Sequence, residues 1–154
     1  MKYDYLQTPL GWLKIVATDQ ALVEIDFVTQ PEKSVAPNRI TNKARTQLQE
    51  YFSAERKVFD LPLDPQGTNF QKQVWQALLQ VPFGQTKSYR QIAQMINNPR
   101  AVRAVGLANG KNPIPIIIPC HRIIAASGEL GGYSAGLWRK EWLLKHERIW
   151  GNLE

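Results

Sequence analysis

The chain has one thiol, Cys120, set in the run Pro119-Cys120-His121-Arg122. A cysteine behind an apolar stretch is usually no more than a small core residue. Here an imidazole and a guanidinium follow it directly, and such neighbours lower a thiol from its ordinary pKa of about 8.5 and make the sulfur a nucleophile. Adjacent residues of a strand point to opposite faces, so a direct Cys120–His121 pair needs a helical turn. A bridging water is the expectation. An acid is needed to fix the imidazole tautomer and stabilise its cation, and Glu141 and Glu147, on a helix predicted over 137–147, are the downstream candidates. One cysteine with His121 and His146 makes neither an internal disulfide nor a cysteine-rich zinc cluster. No metal and no cofactor is expected.

The elements that must position this thiol are legible on either side. Residues 112–120 carry Pro113, Pro115 and Pro119, which fix φ and remove donors. The segment reads as a buried extended strand with irregular ends. Upstream, Ser88-Tyr89-Arg90-Gln91 fits a capping box and opens a helix with Ile92 and Ile96 inside. Asn98-Pro99 offers an N-cap and a first-position proline for the next helix, and Gly110 a stop. Only Asn97-Asn98-Pro99 separates the two, which predicts a tight helix-turn-helix. Its second helix mixes basic Arg100, Arg103 and Lys111 with small Ala101, Ala104, Gly106, Ala108 and Gly110. That composition fits a helix packed on another helix with solvated arginines, and equally a helix that meets DNA.

Further upstream, Thr68-Asn69-Phe70-Gln71 is another capping box, with Phe70, Val74, Ala77 and Leu78 on one face and a stop near Val81-Pro82. The first sixty residues read differently. Lys2–Gln7, Trp12–Ala17 and Leu22–Val28 alternate and turn as an antiparallel meander, Ile40, Ala44, Leu48 and Phe52 mark one helix face, and Lys57–Leu61 is expected to return as a strand. Two prolines and a glycine in residues 61–67 mark a linker. The expected organisation is α+β: an N-terminal scaffold module with an antiparallel sheet over 1–64 and a mainly helical domain over 68–154.

Composition narrows the function class. With 19 Lys plus Arg against 13 Asp plus Glu the formal charge is +6, which favours an anionic partner, nucleic acid before membrane. The longest uncharged apolar stretch, Pro113–Cys120, is far short of the about 20 residues a spanning helix needs. Met1-Lys2-Tyr3-Asp4-Tyr5 leads into no apolar signal core, so a cytoplasmic location is expected.

Pro119-Cys120-His121-Arg122, preceded by Asn112-Pro113-Ile114-Pro115 and followed by Gly132-Tyr133-Ser134 and Lys140-Glu141-Trp142-Leu143-Leu144, strongly resembles the O6-alkylguanine-DNA alkyltransferases, or methylated-DNA–protein-cysteine S-methyltransferases. The likeness is densest over residues 70–147, with a weaker trace in Thr8-Pro9-Leu10-Gly11. It implies direct-reversal repair: stoichiometric, irreversible transfer of the alkyl group from O6-alkylguanine in double-stranded DNA to Cys120, with O4-alkylthymine a candidate second substrate. It also implies roles. His121 takes the thiol proton through a water, Glu147 orients His121, Asn112 braces the turn, and Tyr89 donates to guanine N3. Tyr133, Ser134, Ala135 and backbone groups near Ile123 form the alkylguanine pocket. Arg103 fills the gap left by a flipped nucleotide, on a helix seated in the minor groove, and Arg100, Ala101, Ala104, Lys111 and Arg122 complete the DNA-binding set. The partner is damaged DNA and the protein a monomer.

Three positions depart from the family pattern. Ala135 stands where many members carry glycine at the pocket rim, so bulky alkyl groups are expected to fit less well. Asn109 replaces a hydrophobic residue on the groove-facing helix, and Trp138 sits where smaller residues are usual, without a functional account. The competing classes are a non-catalytic sensor of DNA damage, which would lack the cysteine, and a cysteine hydrolase indifferent to DNA.

Overall fold

The computed structural model describes residues 1–152, with side chains through position 148. The chain divides into two compact units, with the break between Gln66 and Gly67. The last two residues of the expected second domain, 153–154, lie outside the described residues.

In the first unit, β1 (Lys2–Thr8), β2 (Gly11–Ala17) and β3 (Leu22–Val28) form an antiparallel sheet in the order β1-β2-β3. Period-2 alternation puts Leu13, Ile15 and Ala17 of β2 on the buried face. Helix α1 (Arg39–Phe52) opens on a capping box in which Asn38 and Thr41 serve each other's backbone N–H. Its buried stripe runs Ile40, Ala44, Leu48 and then Tyr51, with Phe52 half-buried. At 100° per residue a strict spacing of four drifts round the helix, so the expected last position passes from Phe52 to Tyr51.

The expected strand at Lys57–Leu61 is not formed. The Gln47 side chain, on α1, does a neighbouring strand's work: its Nε2 donates to the Asp60 carbonyl at 3.0 Å and its Oε1 accepts the Asp60 N–H at 2.9 Å. The chain reaches β3 only past that point, with Leu22 N–H donating to Pro62 O at 2.9 Å and Asp64 N–H to Leu22 O at 2.8 Å.

In the second unit, α2 (Asn69–Leu78) starts at its Thr68 capping box and buries Val74, Trp75, Ala77 and Leu78. The two-residue strand β4 (Lys87–Ser88) leads into α3 (Tyr89–Met95), again opened by a capping box, between Ser88 and Gln91. Asn97 takes a φ of 58°, the left-handed cap that asparagine tolerates after a helix end. Helix α4 (Val102–Gly110) begins later than expected. The Asn98 carbonyl closes a turn with Ala101 N–H at 3.0 Å, so Ala101 is the N-cap, without a side-chain bond, and Pro99 lies in the turn. Trp75 Nε1 donates to the Ala108 carbonyl at 2.9 Å and ties α2 to α4 inside the core.

Residues 112–119 do not form the expected strand. Ile117 N–H returns to Pro115 O and Ile118 N–H to Ile114 O, both at 2.9 Å, and Ile116 takes a φ of 74°, rare for a β-branched residue. The segment is a buried loop. It ends in a 3₁₀ turn over Cys120–Arg122, followed by β5 (Ile123–Ile124), which pairs in parallel with β4, and by α5 (Leu137–Asn152). No helix of the described residues is long and apolar enough to cross a membrane.

Candidate active site

Asn112 holds the loop that delivers the thiol. Its Oδ1 accepts the Ile114 N–H at 3.0 Å and its Nδ2 donates to the Ile118 carbonyl at 2.8 Å, so one amide closes both ends of the turn that contains Ile116. A positive φ at a β-branched residue costs on the order of 1–3 kcal/mol and persists only where the surroundings impose it. Four residues after Ile116, Cys120 opens the 3₁₀ turn, 5% exposed. Its carbonyl accepts Asn109 Nδ2 from α4 at 3.3 Å. Asn109 is buried on the inner stripe of α4, where its amide reaches the Cys120 carbonyl.

Behind the thiol, His121 is fully buried and its Nε2 lies 2.6 Å from Glu147 Oε2. Its Nδ1 is buried with no hydrogen-bond partner. Burial lowers the imidazole pKa below its ordinary value, against the opposing pull of Glu147. The ring therefore rests neutral, donating Nε2–H to the carboxylate and leaving the Nδ1 lone pair free to take a proton. Glu141 is exposed and touches none of this, so the acid is Glu147.

Arg122 is not available to DNA as expected. Its Nε donates to Glu147 Oε1 at 2.9 Å, its Nη2 to Glu147 Oε2 at 3.1 Å and its Nη1 to the Val81 carbonyl at 2.7 Å, with both charged side chains almost wholly buried. A guanidinium offers a planar fork that matches a carboxylate, and this one is fully engaged inside the unit. Gly84 N–H adds a further bond to Glu147 Oε1 at 3.2 Å. Burial alone would raise the Glu147 carboxyl, but His121 and Arg122 more than offset it and hold it well below the usual carboxylate range.

The thiol itself departs from the first expectation. Burial raises the Cys120 pKa, and Asn112, Lys140 and Tyr133 only partly oppose it. The neighbours named from sequence do not act as cations on the sulfur, because His121 is neutral and the charge of Arg122 is spent on Glu147. Cys120 rests as a thiol, and the 3₁₀ turn places no direct hydrogen bond between it and His121.

In front of the sulfur lies a cleft of about 370 Å³, walled by Tyr89 from α3, Asn109 from α4, Cys120, and Tyr133 and Ser134 from the loop before α5. Gly106, Gly110 and Gly132 complete the lining. The volume is at the lower end of the roughly 300–1,000 Å³ of ordinary small-molecule sites. Gly131 approaches so closely that a Cβ there would stand 2.7 Å from the Tyr89 hydroxyl, and its φ of 72° also requires glycine. Burial raises the Tyr89 phenol, and it raises Tyr133 further, so both are neutral donors. The Tyr133 hydroxyl has no hydrogen bond of ordinary geometry, although it is coupled electrostatically to Cys120.

Ile123 and Ala135 lie off this lining. The Ile123 side chain is buried and its carbonyl accepts Lys140 Nζ, while the Ala135 carbonyl accepts Arg139 Nη1 at 2.6 Å. Arg100, Arg103, Ala104 and Lys111 are exposed, Ala101 is half-exposed, and Val105, Ala108 and Asn109 form the inner stripe of α4. Sequence reasoning missed two residues. Leu107, one turn after Arg103, is 69% exposed on the same outer face. Lys140 is fully buried, and only its spacing with Leu143 and Glu147 on one stripe of α5 could have signalled that. Trp138 is exposed under the Arg139 guanidinium, 4.6 Å from its ring, and His146 stacks on Trp142 at 4.8 Å; nothing in the structure gives either a part at the thiol.

Comparison with known proteins agrees over both units. Residues 69–149 match the DNA-binding domain of 6-O-methylguanine DNA methyltransferase, and residues 1–65 match the ribonuclease-like domain of the same proteins. The chain is 47% identical over 153 residues to a methylated-DNA–protein-cysteine methyltransferase of Methanosarcina barkeri, covering 96% of this chain and 97% of that one. A Mycobacterium tuberculosis protein of the same description is 44% identical, over 95% of this chain and 92% of its own length. Among solved structures, Mycobacterium tuberculosis OGT in complex with DNA superposes with a TM-score of 0.90 at 43% identity, over 97% of this chain and 94% of that one. The O6-methylguanine DNA methyltransferase of Methanococcus jannaschii superposes at 0.69 with 28% identity, over 95% and 93%.

Proposed function

Since the chain belongs to the 6-O-methylguanine DNA methyltransferase family and is a methylated-DNA–protein-cysteine methyltransferase that repairs O6-methylguanine in DNA, we propose that Cys120 is its acceptor and that Tyr89, Asn112, His121 and Glu147 serve that sulfur. The observation that carries this reading is the orphaned Nδ1 of His121, backed by the 2.6 Å bond to Glu147 and set next to the only thiol of the chain.

A base inside a duplex cannot reach the sulfur of a residue that is 5% exposed, so the target nucleotide rotates out of the stack and into the cleft. Arg103, exposed on α4, fills the vacated place, and small Ala104 lets the helix approach the narrow minor groove. Arg100 and Lys111 neutralise phosphates.

With the alkylated base in place, the Cys120 proton passes to His121 Nδ1 through a water. The resulting imidazolium is stabilised by Glu147, whose own charge is secured by Arg122 and Gly84. The thiolate attacks the alkyl carbon, a C–S bond forms as the C–O6 bond breaks, and the electron pair leaves on the guanine. Tyr89, a neutral phenol at the cleft wall, donates to N3 and stabilises that leaving anion. Tyr133 packs on the base, and the Ser134 backbone N–H meets O6. The guanine recovers a proton and the protein keeps a thioether. A thioether carries no acidic proton and no good leaving group, so each chain acts once. O4-alkylthymine is a second substrate of the same cleft on this reading, and the protein works as a monomer in the cytoplasm, where the lone thiol stays reduced.

Intact mass after mixing with excess duplex bearing O6-methylguanine tests the proposal. One methyl per chain, on the Cys120 peptide, and none on Cys120→Ser is the expected result. Guanine released in molar excess over protein would reject the single-turnover mechanism, and binding without a mass change would make the protein a sensor.

A further inference from the structure

One wall of the cleft is gripped from outside by two residues to which no step of the transfer gives a part. Tyr133 and Ser134 line the cleft, and the turn that carries them closes where Gly136 N–H returns to Tyr133 O at 2.9 Å. Gly136 has a φ of 104° and feeds directly into α5, its carbonyl accepting Arg139 N–H at 3.1 Å. From the first turn of that helix Arg139 reaches back and donates Nη1 to the Ala135 carbonyl at 2.6 Å. The same guanidinium lies over the Trp138 ring, 4.6 Å from its centroid. The indole in turn packs on Gly136, where a Cβ would stand 3.4 Å from Cδ1 and from Nε1. The Trp138 ring is 53% exposed, so core packing does not account for it. Neither residue lines the cleft, and both act on the turn from its other side.

We propose that Trp138 and Arg139 are positioning residues of the alkyl-transfer cleft: stacked on each other outside it, they hold the turn over residues 133–136 in one place, fix how far the cleft opens, and so favour methyl over bulkier alkyl groups. This rests on the alkylated base entering this cleft and on Cys120 being the acceptor. Gly131 and Gly132 before the turn and Gly136 at its end give the segment backbone freedom of its own. The Tyr133 hydroxyl, with no hydrogen bond of ordinary geometry, does not anchor it from within. The outer clamp supplies what the backbone lacks. A guanidinium bonds a carbonyl in its plane while its flat face rests on an aromatic ring, a pairing that an ammonium does not reproduce. A cleft of about 370 Å³ is small enough that a modest outward shift of one wall changes what fits in front of Cys120.

The test is transfer to the whole chain from two duplexes, one bearing O6-methylguanine and one O6-benzylguanine, with rates read by intact mass for wild type, Trp138→Ala, Arg139→Met and Trp138→Phe. Trp138→Ala and Arg139→Met should each raise the ratio of benzyl to methyl rate by about two- to fivefold, the factor that one exposed cation–π contact supports. Trp138→Phe keeps an aromatic face under the guanidinium and should return most of the way to the wild-type ratio. Residues that only steadied the fold would slow both substrates together and lower the melting transition; an unmoved ratio in Trp138→Ala overturns the proposal. Should Arg139→Met fail to fold, the exposed ring of Trp138 still decides. Free O6-benzylguanine should follow the benzyl duplex across the variants, and an effect confined to duplex substrates would make the pair a DNA contact and overturn the proposal as well. No methyl on wild-type Cys120 would reject the acceptor reading and the clamp with it, whereas methyl on Cys120 with an unmoved ratio rejects the clamp alone.

Discussion

Replacing Arg122 with alanine should unfold the second unit sooner while leaving its grip on DNA intact. The side chain makes three hydrogen bonds, at 2.9, 3.1 and 2.7 Å, to Glu147 and to the Val81 carbonyl. Truncation removes the guanidinium and leaves the buried Glu147 with one counter-group fewer. Breaking a buried ion pair by removing one partner costs about 3–5 kcal/mol. At roughly 2–4 °C per kcal/mol for a chain of this size, the melting transition of the unit should fall by about 6–20 °C. A phosphate contact behaves in the opposite way: its loss leaves melting unchanged and reduces the slope of log K against log salt by about 1. Circular dichroism melts and fluorescence anisotropy with duplex at several salt concentrations read both quantities on one preparation. An Arg122→Ala protein that melts with wild type and loses a unit of salt slope would refute the buried-pair argument. A Glu147→Met, Arg122→Met double variant should recover part of the loss, because two apolar side chains leave no unpaired charge behind.

Three further outcomes follow from the same geometry. Arg103→Ala should leave the melting transition unchanged, since the side chain is exposed, and slow transfer from duplex DNA; an equal loss of reaction with free O6-benzylguanine would contradict a role in flipping. Asn112→Ala removes both bonds that close the turn before Cys120, which should cost about 1–3 kcal/mol in denaturant melts and slow methyl transfer in a mass assay. Burial holds His121 below its ordinary value of 6.5, so the unfolded chain takes up that proton first. Its contribution to stability is therefore full above that value and is lost as pH falls through it, and the acid limb of the transfer rate should lie below pH 6.5; an inflection at or above it would show the imidazole is not the buried base described.

What was legible in the sequence was local. The meander, the capping boxes at Thr68 and Ser88 and the Val74, Ala77 and Leu78 face of α2 depend on residues two to four apart, and each stands where its pattern placed it. The failures share a different physics. The Lys57–Leu61 strand lost its place to the side chain of Gln47, thirteen residues earlier, and no alternation rule sees a side chain acting as a strand. The Asn112–Pro119 run is apolar enough for a strand, but Asn112 folds it into a turn by bonding at two points. Arg122 was expected at DNA and the burial of Lys140 was not foreseen, because a charged residue is buried only by its partners, which lie 25 and 17 residues away. Cys120 and His121 were legible from residue types, but Glu147 was singled out only through the resemblance, since from residue types alone Glu141 and Glu147 were equal candidates.

The charge states of these buried residues sort by distance from the substrate. The groups at the cleft wall, Cys120, Tyr89 and Tyr133, are all pushed upward by burial, and His121 behind the sulfur is pushed downward, so each rests neutral. The charged groups, Glu147, Arg122 and Lys140, stand one layer back and are fixed by hydrogen bonds to one another or to carbonyls. A protein consumed by each transfer loses a molecule to every stray electrophile that reaches its sulfur. A thiol that is nearly sealed and that burial holds neutral is exposed to fewer of them in the free protein. On the proposed mechanism the layer behind it acts when a base fills the cleft: Glu147 stabilises the imidazolium that forms as the Cys120 proton reaches His121. Selectivity for the bound lesion is thus built into where the charges sit, and the cost of burying them is the condition for a sulfur that waits.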